Sequence, residues 1–202
     1  MAKRLDPETR RRTIAEAVLA IAARDGLDAA SVRDVAAEAG VSAGMVQHYF
    51  RSRDEMLQFA CDYMVERTGG LTRERIAALT EPRSIRDILR AIFVQMLPLD
   101  EERRVGIRVW MAFLARAVVR EDLGAFFRQT HENTHRTFVN LLRQAQEQGA
   151  IPPDLNPEHE TIALFSLVDG LVSHVLLGHY PGEEALQAID EQLDRVFYSP
   201  TT

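Results

Sequence analysis

Ser31-Val32-Arg33-Asp34-Val35-Ala36-Ala37-Glu38-Ala39-Gly40-Val41-Ser42-Ala43-Gly44-Met45-Val46-Gln47-His48-Tyr49-Phe50 is the stretch that decides the fold. Ser31 can cap a helix, with Asp34 three residues on closing a capping box. Gly40 stops that helix after two turns, and Ser42 opens another. Two short helices that cross steeply need a small residue at the crossing and an apolar anchor in the turn, and Ala36 and Val41 supply them. Val35, Val46 and Phe50 complete a small core with Ile14, Val18 and Ile21, which recur at helical spacing upstream. At 100° per residue Val46 and Phe50 point inward together, so Gly44 and His48 point away, flanked by Met45, Gln47 and Tyr49. That outward face lacks the Glu and Lys that usually cover a solvated helix. Its groups suit a nucleic-acid groove: Gly44 admits close backbone approach, Gln47 can bond a base edge, Met45 can touch a thymine methyl, and His48 and Tyr49 can reach phosphates. The arrangement predicts a helix-turn-helix, whose second helix would enter the major groove; spacing alone also fits a small structural three-helix unit with no DNA role.

The rest of the 202-residue chain reads as helix, without strand-length alternation. Asp6, Pro7 and Glu8 start a first helix, which Asp25-Gly26 ends. Ser52 and Glu55 cap a fourth, running from Arg53 to the late seventies, where Gly69-Gly70 predicts a bend, break or hinge. Pro82 is expected to open a fifth that ends near Pro98. Further helices are expected over 101–119, 121–149, 157–178 and 182–197, with breaks at Gly149–Pro153 and Tyr180-Pro181-Gly182. Residues 161–180 are mostly apolar, but Asp169, His174 and His179 interrupt them, which argues against a membrane span. Helix 157–178 is therefore central core or a subunit interface, and Ser166, Gly170 and Ser173 would let another helix come close.

Charge is uneven. The chain carries net −6, yet residues 1–53 hold 9 basic and 7 acidic side chains, net +2, while residues 54–202 hold 15 and 23, net −8. Lys3, Arg4, Arg10, Arg11 and Arg12 cluster at the start, a hint of nucleic-acid contact by that end. The lone Cys61 excludes an intramolecular disulfide and any multi-cysteine metal site. With no apolar signal-peptide core after the charged start, a cytoplasmic location is expected.

Residues 10–57 resemble the DNA-binding domain of tetracycline-repressor-type (TetR family) regulators. The resemblance rests on Gly26-Leu27, the Ser31–Ala36 run, Ala39-Gly40-Val41-Ser42, and above all His48-Tyr49-Phe50-Arg51-Ser52-Arg53-Asp54-Glu55-Met56-Leu57. Residues 97–117 and Gln47-His48-Tyr49-Phe50 are similar to the choline-responsive, BetI-like branch. The resemblance implies an all-α repressor: a helix-turn-helix domain over 1–52, then a ligand-binding and dimerisation domain over 53–202. Its partners would be a double-stranded DNA operator, a second copy of the chain and a small-molecule effector of unknown identity, with no membrane, cofactor, metal or enzymatic activity. By match, Arg33, Met45, Gln47, His48, Tyr49 and Arg53 are DNA-contacting positions, joined by Ser42 and Gly44. Arg53 stands where lysine is more usual, and Gln47 where an aromatic is common, so the operator sequence does not carry over.

Aromatic walls with few polar groups make ligand pockets, and Phe59, Tyr63, Phe93, Met96, Trp110, Phe113, Phe126 and Phe127 are the raw material. A quaternary ammonium would want an aromatic cage, in which Trp110 can take part; an apolar acyl or polyketide ligand suits these walls equally. Leu164, Leu167, Val168, Leu171, Val175, Leu186, Ile189, Leu193 and Val196 form the expected dimer surface, two helices from each copy making a four-helix bundle. Two rival readings remain: a small-molecule-binding helical protein whose head does not read DNA, and a zinc metallopeptidase. His131-Glu132-Asn133-Thr134-His135 matches the zinc-protease pattern of two histidines one turn apart with a glutamate as base. Phe138 stands where the extended pattern wants glycine, and a third ligand would have to be Glu158 or Glu160.

Overall fold

The computed structural model describes residues 6–81 and 83–197, and its regular elements there are all helical. In order they are α1 (Pro7–Asp25), a 3₁₀ turn (Leu27–Ala29), α2 (Val32–Glu38), α3 (Ala43–Tyr49), α4 (Arg53–Ala77), α5 (Ile85–Met96), α6 (Glu101–Val119), α7 (Glu121–Glu147), α8 (Pro157–Leu176) and α9 (Gly182–Val196). No helix among the described residues is long and apolar enough to cross a membrane. Two compact units share the chain: residues 1–70 with 108–124, and residues 71–107 with 125–202. The first unit thus extends past the expected boundary at residue 52, taking in most of α4 and parts of α6 and α7.

In the first unit, α1 packs on the 3₁₀ turn and on α2, and α2 on α3. Ile14, Val18, Ile21, Val35, Ala36, Val46 and Phe50 are all buried, as the periodicity predicts. Val41 is half-buried, and its N–H donates to the Ala36 carbonyl at 2.9 Å. Gly40 takes φ +64 in that turn, a conformation that a Cβ would strain. Cys61 is buried here too, and burial pushes its thiol far above the ordinary range, leaving it unreactive.

The second unit has its own core. The Phe93 ring lies tilted against Phe138 and edge-on to Phe165, at ring separations of 5.3 and 6.3 Å, among Leu89, Leu142, Leu164, Ile189 and Leu193. At the edge of this core Arg90 forks onto both carboxylate oxygens of Asp190 at 2.6 and 3.0 Å, fastening α5 to α9.

Three local expectations are corrected. Asp6 occupies the cap position of α1, but its side chain makes no capping bond. Helix α4 passes through Gly69-Gly70 without a break: both keep ordinary negative φ, and a cost of about 1 kcal/mol per glycine does not stop a 25-residue helix already propagating. Pro82 lies outside the described residues, and α5 begins instead at Ile85, where the Ser84 hydroxyl accepts the Asp87 N–H at 3.1 Å.

Candidate nucleic-acid interface

Local capping sets the exposed helix of the first unit. The Ser42 hydroxyl accepts the Met45 N–H at 3.1 Å and starts α3; the Phe50 N–H donates to the Val46 carbonyl at 2.9 Å and closes it. Between them only Val46 is buried. Ser42, Gly44, Met45, Gln47 and His48 are exposed, and Tyr49 is half-buried with its ring edge-on to His48, centroids 5.2 Å apart. Met45 is 37% exposed. A Cβ placed on Gly44 would meet only the Ser42 hydroxyl oxygen, at 4.0 Å. The fold therefore has room for alanine there, which would favour the helix by up to about 1 kcal/mol. Arg33 is exposed on α2, whose Ser31 cap accepts the Asp34 N–H as predicted.

Arg53 is bonded within the unit. Its Nε donates to the Ala30 carbonyl at 2.9 Å, and its Nη2 to the carbonyls of Leu27 and Asp28 at 2.9 and 3.2 Å. The guanidinium thus staples the start of α4 to the 3₁₀ turn preceding α2, a forked role that a lysine ammonium cannot copy. Arg11 is also engaged inside the unit, its guanidinium 4.1 Å above the Phe59 ring and 5.3 Å from Phe50. Arg12 pairs with Glu8 and Glu66. Lys3 and Arg4 lie outside the described residues. The basic start thus contributes less open charge than its composition suggests.

Sequence reasoning missed one junction entirely. Asp54, in the first turn of α4, accepts from Arg116 Nη2 at 2.8 Å and from Arg120 Nη2 at 2.6 Å, while Arg116 also lies 3.8 Å from Asp28. The Arg116 guanidinium, aided by Arg120, holds the Asp54 carboxyl below the usual carboxylate range. This network joins the last turn of α6 and the following residue to the helix immediately after α3. Partners more than sixty residues apart leave no local signal in a sequence.

The expected pocket residues divide between the units. Phe59, Tyr63, Trp110 and Phe113 belong to the first, Phe93, Met96, Phe126 and Phe127 to the second. Phe113 and Phe93 are fully buried, and Phe93 is plain core. Tyr63 donates its hydroxyl to Glu16 at 2.7 Å. None of the eight lines the cavity of about 570 Å³ in the second unit, whose wall comes from α7 and α8 and includes His131, Glu132, His135, Arg143, Glu158 and Ile162. The metal-protease reading does not assemble there. The rings of His131 and His135 are 6.0 Å apart, but Glu158 is ion-paired with Arg143, and Glu160 accepts from Gln192. Among the described residues no group of three or more His, Cys, Asp or Glu could hold a metal.

The expected dimer surface is also redistributed. Leu164, Val168, Val175, Ile189, Leu193 and Val196 are buried in the second unit's own core, with Leu171 and Leu186 packed half-buried against it and Leu167 half-buried on α8. The face of α8 left open carries Ile162, Ser166, Asp169, Gly170 and Leu177, with Ile162 54% and Leu177 71% exposed.

Two family models match the chain. Residues 14–59 match bacterial regulatory proteins of the tetR family, and residues 85–198 match the C-terminal domain of BetI-type transcriptional repressors. The chain is 32% identical over 182 residues to the HTH-type transcriptional regulator PksA of Bacillus subtilis (strain 168), covering 88% of this chain and 83% of that protein. It is 31% identical over 192 residues to the HTH-type transcriptional regulator BetI of Pectobacterium carotovorum subsp. carotovorum (strain PC1), covering 92% and 95%. A transcriptional regulator from Rhodococcus sp. Rha1 superposes with a TM-score of 0.78 at 32% identity, covering 92% of this chain and 95% of that one. A protein from Saccharomonospora viridis solved in complex with choline superposes with a TM-score of 0.81 at 20% identity over 95% and 99%, a likeness of fold.

Proposed function

The chain belongs to the tetR family of bacterial regulatory proteins, a family of transcriptional regulators and not of enzymes, and from that premise we propose that it is a repressor released from its operator by a small molecule. The observation that carries the reading is α3: a helix with one buried residue and a bare, nearly uncharged outward face of Gly44, Met45, Gln47 and His48. Gln47 and Met45 read base edges, while Ser42, His48, Tyr49 and Arg33 hold phosphates. Arg53 acts on DNA by fixing α4 against the turn before α2, with any phosphate contact secondary. The DNA-reading part is residues 1–52, and the effector and dimerisation part residues 53–202.

The repressor is a homodimer. Its contact face is the open side of α8, Ile162, Ser166, Gly170 and Leu177, together with the outward side of α9. Two-fold symmetry pairs two copies of α3 with a pseudo-palindromic operator whose half-sites lie about one helical turn apart or slightly more. An effector releases DNA when it binds more tightly to the conformer whose heads do not fit that spacing. Choline is the first effector to assay, because the Saccharomonospora viridis protein holds it and the C-terminal match is BetI-type. The experiment is selection of random duplex DNA by the purified chain at about 150 mM salt, where nonspecific phosphate binding is weakened. An enriched inverted repeat is the expected result. Folded, dimeric protein that enriches nothing, with and without choline, would overturn the proposal.

A further inference from the structure

Three helices of this chain end in the same way. In a Schellman stop a left-handed glycine follows the helix, and two backbone bonds close it, bringing together the side chains three residues before the cap and two after it. The stop of α2 does this through Gly40, with Val41 N–H bonded to the Ala36 carbonyl at 2.9 Å. The stop of α7 does it through Gly149, at φ +69, with Ala150 N–H bonded to the Ala145 carbonyl at 2.8 Å. Both bring together the apolar pair usual at such a stop, Ala36 with Val41 and Ala145 with Ala150. The stop of α8 uses Gly178, at φ +76: its N–H bonds the Val175 carbonyl at 3.2 Å, and His179 N–H bonds the His174 carbonyl at 2.9 Å. Here the paired side chains are two imidazoles.

The geometry points to a new metal site: we propose that His174 and His179 bind one late first-row divalent ion through their Nδ1 atoms. The two Nδ1 atoms face each other at 2.9 Å, with ring centroids 5.2 Å apart. Two imidazole nitrogens on a tetrahedral ion, each at about 2.0–2.1 Å, stand about 3.3 Å apart, so a ring adjustment of a few tenths of an ångström admits the ion. Without an ion, two Nδ1 atoms in contact need a proton between them. The ion takes the place of that proton, which moves to Nε2 of the ring that carried it, so that each ring ligates in its neutral form with its one proton on Nε2. Both rings are exposed, and the Tyr180 ring stands edge-on to His174 at 5.4 Å, limiting its rotation. Imidazole pairs select copper, nickel, zinc or cobalt over magnesium and calcium. With two protein ligands, water completes the shell. Arg104 of α6, which donates to the Val175 carbonyl at 3.4 Å, is the neighbouring cation. The site belongs to the second unit and does not rest on the regulatory reading.

Calorimetric titration of the tag-free, chelator-treated full chain with zinc chloride, and separately with nickel chloride, tests the proposal. One ion per chain is expected, lost in His174→Ala and in His179→Ala and retained when His131 and His135 are both replaced by alanine. Gly178→Ala keeps both imidazoles but strains the left-handed residue that aligns them, and is expected to weaken binding by about tenfold or more. Circular dichroism identifies any variant that fails to fold, and ¹⁵N imidazole shifts of the wild-type chain show zinc on Nδ1 of both residues. No binding by the wild type, binding that survives His174→Ala, or zinc on Nε2 would each overturn the proposal.

Discussion

Helices α3 and α8 show how differently one chain can specify two helices. In α3, seven residues carry one buried side chain, a serine cap and an outward face with a chemistry of its own. Its neighbours lie within forty residues, so inside and outside follow directly from 3.6-residue periodicity. In α8, twenty residues are apolar nearly all round, and the core they join includes residues of α5, α7 and α9 that start or end far along the chain. Periodicity finds an apolar face there but cannot assign it, because a core, a ligand pocket and a subunit interface ask for the same side chains. The expected dimer residues show this: within one chain Leu164, Val168 and Val175 are core, while Ile162 and Leu177 on the opposite side are open.

The largest effect that would test this contrast is in the core of the second unit. Leu164→Ala should cost about 2–5 kcal/mol in chemical denaturation, as a fully buried leucine does; a loss near zero would return Leu164 to the interface. Next comes the open side of α8. Ile162→Asp should leave helicity intact and weaken the dimer by about 2–3 kcal/mol, seen as monomer in sedimentation velocity, because two-fold symmetry brings the new charge in from both copies. Ser42→Ala should remove about 1 kcal/mol from the head by leaving the Met45 N–H without its cap. The smallest effect concerns Asp54. Asp54→Asn should cost at most about 1 kcal/mol at neutral pH, since the ion pairs are partly solvated. Its sign with pH is defined. The folded carboxyl lies below its ordinary value near 3.9, so its contribution is complete above that value and disappears as pH falls through the lowered folded one. The stability difference between wild type and variant should therefore be flat at neutral pH and close below about pH 4.

The helical plan and the inward and outward faces of the head were legible because caps, glycine stops and short-range packing are written locally. Ser31, Gly40, Ser42 and Ser52 all act where their positions suggest. Position 53 was legible as a cation but not as a staple, since its three carbonyl acceptors lie 23 to 26 residues upstream. The Asp54 network was not legible, because Arg116 and Arg120 look like ordinary solvated arginines until the fold brings them to one carboxylate. The aromatic set was legible as apolar, yet Phe93 shows that membership of a core and of a pocket have the same signature. Gly69-Gly70 does not break α4, a local cost that the surrounding helix absorbs, although the boundary between the two units falls at Gly70.

The central claim is that the outward face of α3 reads base sequence. Its most direct test is to repeat the duplex selection with Gln47→Ala and with Met45→Ala beside the wild-type chain. The account predicts unchanged melting temperatures, a relaxed base preference at one or two positions in each half-site, and a loss of about 1–3 kcal/mol for the wild-type operator with Gln47→Ala. The same inverted repeat, recovered with the same affinity by both variants, would contradict it.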